Sequence, residues 1–256
     1  MKKYIVLNFI FFFIFLHTVL PAQNLDNLLL QPGFKISIFA ENLSSPRQIA
    51  EGKNGTIFIG ERTGQIIALT DTDQNGQADE KKVIAEGLEY STGVSIFNGD
   101  LYFSEISKIW KIENIESWLK KNNSSSDLPK KILVTDQLPS DKWHGWKWLK
   151  HDEQGGLYFN VGAPCNICLS ENSQYASILK IMNGEWKYVA RGVRNSVGFD
   201  FHPVTQKLFF TDNGRDWLGD DSPSCELNRV DQDGQFFGYP FKHATNIMDP
   251  DFGDLN

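Results

Sequence analysis

The chain is 256 residues long, with a formal net charge of −7, 41% hydrophobic residues and three cysteines. That length allows one sizeable domain behind a leader. The acidic balance argues against nucleic acid or an anionic membrane as the main partner, and three cysteines cannot make a four-thiolate zinc site.

The N-terminus opens with Lys2 and Lys3, followed by an apolar run from Tyr4 to Leu20 that is interrupted by Asn8, His17 and Thr18. This predicts a signal peptide over residues 1–22, with Ala22 at the cut. A retained anchor is the alternative, but it would need roughly 20 consecutive apolar residues. The mature part is expected to start at Gln23, to be periplasmic or secreted, and to keep no stable membrane span.

Four related segments follow: Arg47–Ile59, Gly93–Phe103, Gly145–Phe159 and Gly198–Phe210. Each reads as a short alternating strand, a polar turn and a second apolar strand, and Asn54-Gly55, Asn98-Gly99 and Gly155-Gly156 supply hairpin turn chemistry. The glycines Gly93, Gly145 and Gly198 recur about 52 residues apart, a spacing that suits a four-stranded propeller blade better than a helical repeat. Further strand-like pieces lie at Ile66–Leu69, Ile109–Ile112, Ile178–Ile181 and Leu227–Val230. One helix is predicted over Ile115–Lys120, and a Ser/Asn-rich loop over Asn122–Pro129.

Between Leu69 and Val83, Asp71-Thr-Asp73-Gln-Asn75-Gly76-Gln-Ala-Asp79 matches the first half of a calcium loop, but position twelve is Lys82 rather than Glu. A hairpin connection rich in Asp, Asn and Gly is the alternative. The pair Cys165-x-x-Cys168 reads as a small disulfide pinning a loop in an exported chain, with a redox centre as the alternative. Leu169 stands where a haem-attachment motif needs His. Cys225 is left as a buried or unpaired thiol.

The fold class is therefore all-β, a propeller occupying residues 23–256. Six blades of this size would require roughly 300 residues, so about four to five fit here. The end, Asp249–Asn256, has no strand pattern, and the expectation is an incomplete ring whose remaining blades belong to a longer parent.

The loop entering each innermost strand opens onto a propeller's channel. Those positions hold Pro46-Arg47, Tyr90-Ser91-Thr92, Trp143-His144 and Arg194-Asn195. A histidine can take a hydroxyl proton near neutral pH, and Arg and Asn can hold an anionic or oxyanionic group. The plainer reading of His144 is a hydrogen-bonded histidine between Trp143 and Trp146. Trp143, Trp146, Trp148 and Trp217 are read as packing between blades, with Trp143 and Trp217 as candidates for sugar contact. The run Asp216–Asp221 fits a calcium-shell loop or a solvated turn.

Taken in order, Trp143-His144-Gly145-Trp-Lys-Trp, Gly156–Cys165, Ala190–Phe199, Thr211–Asp216 and Glu226-Leu-Asn228 make the chain resemble a sorbosone dehydrogenase-type member of the soluble quinoprotein glucose dehydrogenase group, from about Gly33 to Pro240. The resemblance implies a six-bladed propeller, pyrroloquinoline quinone (PQQ) in the channel, a calcium ion (Ca2+) beside it, and oxidation of a sugar, polyol or sugar aldehyde, with electrons passed on to a quinone or cytochrome c acceptor. Carried over, the catalytic base falls on His144. Arg194 would stabilise charge developing on the quinone oxygen, Asn195 and Gly214 would contact the cofactor, and Gly214 and Arg215 would offer carbonyls to calcium. Ala163 departs from the pattern, standing where the glucose enzymes carry an Asp that supports the histidine; Trp143 replaces an acidic substrate contact, and Arg215 replaces Pro. Two other functions remain open, a calcium-dependent lactonase on a similar propeller and a non-catalytic propeller that binds carbohydrate or protein.

Overall fold

The computed structural model describes residues 25–122 and 125–255; the predicted signal peptide lies outside them. Leu25–Asn27 forms a 3-10 turn in the segment that precedes Phe39. From Phe39 onward the chain folds into successive antiparallel sheets in sequence order. No helix of the described residues is long and apolar enough to cross a membrane.

The first blade is a meander of β1 (Pro46–Glu51), β2 (Ile57–Glu61), β3 (Gln65–Thr70) and β4 (Glu80–Ala85). The second contains β5 (Val94–Phe97), β6 (Asp100–Ser104), β7 (Ile109–Ile112) and β8 (Ile132–Thr135), with α1 (Ile115–Lys121) between its last two strands. The third is built from β9 (Leu149–His151), β10 (Leu157–Val161), β11 (Ser177–Met182) and β12 (Glu185–Arg191). The fourth has β13 (Phe199–Phe201), β14 (Leu208–Asp212) and β15 (Glu226–Arg229). Then β16 (Gln235–Phe236) runs back parallel to β12, and β17 (Lys242–His243) pairs with β18 (Ile247–Met248). The all-β propeller expectation holds, with four blades in the described residues, and the helix falls within one residue of its predicted range.

Alternation along a strand sends neighbouring side chains to opposite faces, and in the third blade both faces are covered by its neighbours. Tyr158 faces a cluster with Phe199, Leu208 and Phe210 of the fourth blade, while the next residue, Phe159, joins Ile109 of the second blade and Leu149 and Leu179 of its own. The second strand of each blade contributes one fully buried phenylalanine: Phe58, Phe103, Phe159 and Phe210. Burying such a side chain stabilises by about 2–3 kcal/mol. The core is thus a series of layers between blades rather than one central mass.

The innermost strands β1, β5 and β9 are also stitched by one buried polar side chain. Gln48 in β1 donates from Nε2 to the Leu149 carbonyl at 2.6 Å, and its Oε1 accepts from the Val94 and Leu149 amides at 3.1 and 2.9 Å. Gly60 permits the same close approach, because a Cβ there would lie 2.4 Å from the Thr92 carbonyl oxygen.

Candidate functional site

The segments that enter the four inner strands converge. Arg47 and Gln48 at the start of β1, Thr92 before β5, His144 and Trp146 to Trp148 before β9, and Asn195 to Val197 before β13 line one cavity of about 310 Å³. None of these lining residues is acidic, although the chain as a whole carries a charge of −7. A cavity of this size falls in the range of small-molecule sites.

His144 takes a left-handed backbone conformation, with φ of 51°. Its Nδ1 lies 2.9 Å from the Ala163 carbonyl oxygen. A carbonyl only accepts, so Nδ1 carries the proton and the Nε2 lone pair is left without a partner among the described residues. Burial lowers its pKa to about 4, the positive charge of Arg194 pushes in the same direction, and the Ala163 carbonyl and Asp216 oppose both. Neutral histidine is therefore the form present at neutral pH. The support for the ring at position 163 thus comes from the main chain and not from a side chain. Gly162 makes this contact possible, since a Cβ there would come within 2.6 Å of the His144 Cβ. Trp143, half exposed, packs edge-on against the His144 ring at 5.8 Å.

Arg194 follows β12 and is buried. Its Nε donates to the Asn166 carbonyl at 2.8 Å, one terminal nitrogen to the Asn213 carbonyl at 3.1 Å, and the other to Asn166 Oδ1 at 2.7 Å and Asp216 Oδ2 at 3.0 Å. Four of the five guanidinium N–H groups are thereby committed, leaving one to offer. The main chain at Arg194 and Asn195 rests on buried Asp212, whose two carboxylate oxygens accept their amides at 2.9 and 2.7 Å. Burial pushes the Asp212 carboxyl up to about 7 against the pull of those two amides. Asn195 lines the cavity, and its side-chain amide makes no hydrogen bond to the described residues.

His144 and Asn195 thus share the cavity wall, and Arg194 stands behind them, near enough for its charge to act on His144. Gly214 and Arg215 are not among the lining residues. The Arg215 guanidinium is occupied by Asp249 and Asp251, while the Gly214 and Arg215 carbonyls accept no hydrogen bond among the described residues. The sequence does not single out Gln48, Lys147 or Asp212. Lys147 is buried in the cavity wall with one acceptor, the Gly145 carbonyl at 2.5 Å, and burial lowers its pKa to about 7. Trp146 lines the cavity, and the guanidinium carbons of Arg47 and Arg62 stand 4.4 and 4.5 Å from its ring centroid. Trp217 is exposed, whereas Trp148 packs into the layer between the third and fourth blades.

Cys165 and Cys168 form a disulfide. Cys225 is unpaired and exposed rather than buried. In the Asp71–Asp79 connection, Asp71, Asp73 and Asp79 converge within 4.8 Å, held by the loop's own amides, with Asn75 and Gly76 donating to Asp71 and Thr72 to Asp79. These residues belong to the β3–β4 connection and do not line the cavity. Asp216 binds Arg194, while Asp220 and Asp221 are exposed.

The chain matches the TrAA12-like family over residues 28–249. An uncharacterized protein of Borreliella burgdorferi is 31% identical over 234 residues, covering 89% of this chain and 60% of that protein. Among solved structures, the Trichoderma reesei carbohydrate-active enzyme of family AA12 superimposes with a TM-score of 0.71 at 18% identity, over 89% of this chain and 64% of that one. The holo PQQ domain of pyranose dehydrogenase from Coprinopsis cinerea gives 0.68 at 16% identity, over 83% and 57%. The PQQ-bound aldose sugar dehydrogenase of Streptomyces coelicolor gives 0.63 at 18%, over 84% and 69%. At these identities the likeness establishes the propeller fold. The chain spans about three fifths of the length of the first relatives it matches.

Proposed function

The chain belongs to the TrAA12-like family, and from that premise we propose that it carries the proton-abstracting half of an exported, quinone-dependent dehydrogenase acting on a sugar, polyol or sugar aldehyde of the glucose or sorbosone kind. One observation carries the reading. A neutral histidine has its Nδ1–H fixed on the Ala163 carbonyl, leaving the Nε2 lone pair unpartnered in a cavity shared with a free Asn195 amide and backed by the Arg194 charge.

The donor set suits pyrroloquinoline quinone, a flat anionic group with oxygens at its edge. Asn195 has a free side-chain amide, Arg194 behind the wall retains one N–H, and Arg47 brings positive charge to a wall without carboxylates, beside a Lys147 whose charge burial weakens. When bound, the quinone would supply the electron sink that side chains lack. His144 Nε2 accepts the proton of a substrate hydroxyl, a step worth 10²–10⁴-fold in typical enzymes. Burial keeps His144 unprotonated until the substrate enters. Arg194 would hold a fixed positive charge behind the cavity wall without reorganising, because its other donors are already bound. Asn195 orients. The free Gly214 and Arg215 carbonyls are ligands of the kind calcium takes, yet they are only two of the six to eight oxygens it needs. Calcium is proposed here only together with the quinone's own oxygens, and no step is derived through it.

A lactonase of the calcium type would need carboxylates converging on the cavity, and none is among its lining residues. Passage of electrons to a quinone or cytochrome c acceptor is proposed on the same reading. The test is reconstitution with the quinone and calcium, followed by dye-linked oxidation of aldoses and sorbosone. Micromolar quinone binding is expected, and His144→Ala should keep that binding while losing about 10²-fold or more in rate. Absence of quinone binding overturns the reading in favour of a non-catalytic binding propeller.

A further inference from the structure

We propose that Asn166, clamped between the two cysteines of the Cys165–Cys168 disulfide, is the positioning residue that fixes the Arg194 guanidinium behind the cavity wall. There its charge acts on His144. This rests on the role given to Arg194 above. Asn166 meets Arg194 twice, accepting Nε–H at its main-chain carbonyl at 2.8 Å and a terminal N–H at its side-chain Oδ1 at 2.7 Å. It also ties down the other wall of the cage, because Oδ1 accepts the Asp216 amide at 2.9 Å and Nδ2 donates to the Asp216 carbonyl at 3.1 Å. The Asp216 carboxylate then completes the grip on Arg194 at 3.0 Å. One short side chain thus fixes both the arginine and the acid that pairs with it.

The disulfide explains why a loop residue can act so rigidly. It closes a ring across Asn166 and Ile167, the only two residues between the cysteines, so the Asn166 carbonyl has little freedom to turn away. The ring is anchored from outside as well. The buried Tyr239 hydroxyl accepts the Cys168 amide at 3.0 Å and lies 3.4 Å from Cys165 Sγ. The Tyr239 main chain is itself bonded to the Gly192 carbonyl, two residues before Arg194. Loop and arginine therefore share one frame. Such a frame holds the positive charge still before any ligand arrives, which is what preorganised stabilisation requires.

The experiment needs no cofactor. Nitrogen-15 NMR follows exchange of the Arg194 Nε–H and rotation of its terminal groups in the parent chain, in Asn166→Ala, in Asn166→Asp, and in the Cys165→Ser/Cys168→Ser pair. Main-chain amide exchange in β10 to β12 reports whether each variant folds. In folded protein the paired serine variant should speed Nε–H exchange about tenfold, roughly one hydrogen bond's worth of protection. Asn166→Ala should free terminal rotation to a similar degree, and Asn166→Asp, which keeps an acceptor at Oδ1, should largely restore it. Should the serine pair fail to fold, Asn166→Ala with its disulfide intact decides the matter. Arg194 dynamics unchanged in folded Asn166→Ala overturn the proposal. Quinone affinity is measured separately on the same proteins. If the parent binds no quinone while Arg194 loosens as expected, the dehydrogenase reading falls and the positioning role stands.

Discussion

At the scale of single residues, the site depends on a histidine kept uncharged with its Nε2 lone pair available. Desolvation is the larger cause of its depressed pKa and the Arg194 charge the second, so the two can be separated. Arg194→Gln should raise the His144 pKa above about 4 without restoring the ordinary value near 6.5, because burial remains. An NMR titration of the His144 ring checks this, and an unchanged midpoint would mean that the Arg194 charge is not felt at the ring. Gly162 is the second point of dependence. Gly162→Ala would drive a methyl group to 2.6 Å from the His144 Cβ, costing about 1–3 kcal/mol of strain and displacing the ring from the Ala163 carbonyl. Urea unfolding and the same titration report both effects. Of these residues, His144 and Asn195 were legible in the sequence because each precedes a repeat anchor. Arg194 was legible as a position but not as a caged group. Its partners Asn166 and Asp216 lie 28 and 22 residues away, and bonds over such separations leave no local pattern.

At the scale of elements, the blades were readable where hairpin glycines joined alternating strands. The outermost strands were not, since β4 reads Glu-Lys-Lys-Val-Ile-Ala and β12 reads Glu-Trp-Lys-Tyr-Val-Ala-Arg. Strands facing solvent at a blade's rim carry mixed charge, which blurs the period-two signal. The hub was equally hidden. Gln48 occupies an ordinary inward position of β1, and only the fold reveals that it spans 46 and 101 residues to reach Val94 and Leu149. Gln48→Leu would fill similar volume but strand two amides and a carbonyl near the cavity. An unpaired buried polar group costs about 1–3 kcal/mol, so a loss of about 2–3 kcal/mol is expected in urea unfolding. Gln48→Glu should retain acceptance at the two amides and lose less. Equal stability of Gln48→Leu and the parent would show that the inner strands hold together through their apolar layers alone.

At the scale of the whole molecule, three buried ionisable groups, His144, His151 and Asp212, combine into one dependence of stability on pH below neutrality. His144 and His151 both have pKa values lowered to about 4, chiefly by burial. Their stabilising contribution is full above about 6.5 and is lost as pH falls to about 4, where the unfolded chain takes up protons that the folded chain refuses. Asp212 works the other way. Its carboxyl is raised to about 7, so its contribution is full below about 3.9 and is lost as pH rises to about 7. Between about pH 4 and 6.5 the unfolded chain therefore binds two extra protons at the histidines, and the folded chain holds one at Asp212, a net difference of about one. Asp212→Asn removes the opposing group and should raise that difference to about two. The variant will be weaker at every pH, because an amide nitrogen must face either the Arg194 or the Asn195 main-chain N–H. The diagnostic is the slope: urea midpoints measured from pH 7 down to pH 5 should fall more steeply in Asp212→Asn than in the parent. Parallel curves would mean that Asp212 stays ionised beneath the site, held by its two amides. In that case the carboxylate, and not a neutral acid, would support the main chain that carries Arg194 and Asn195.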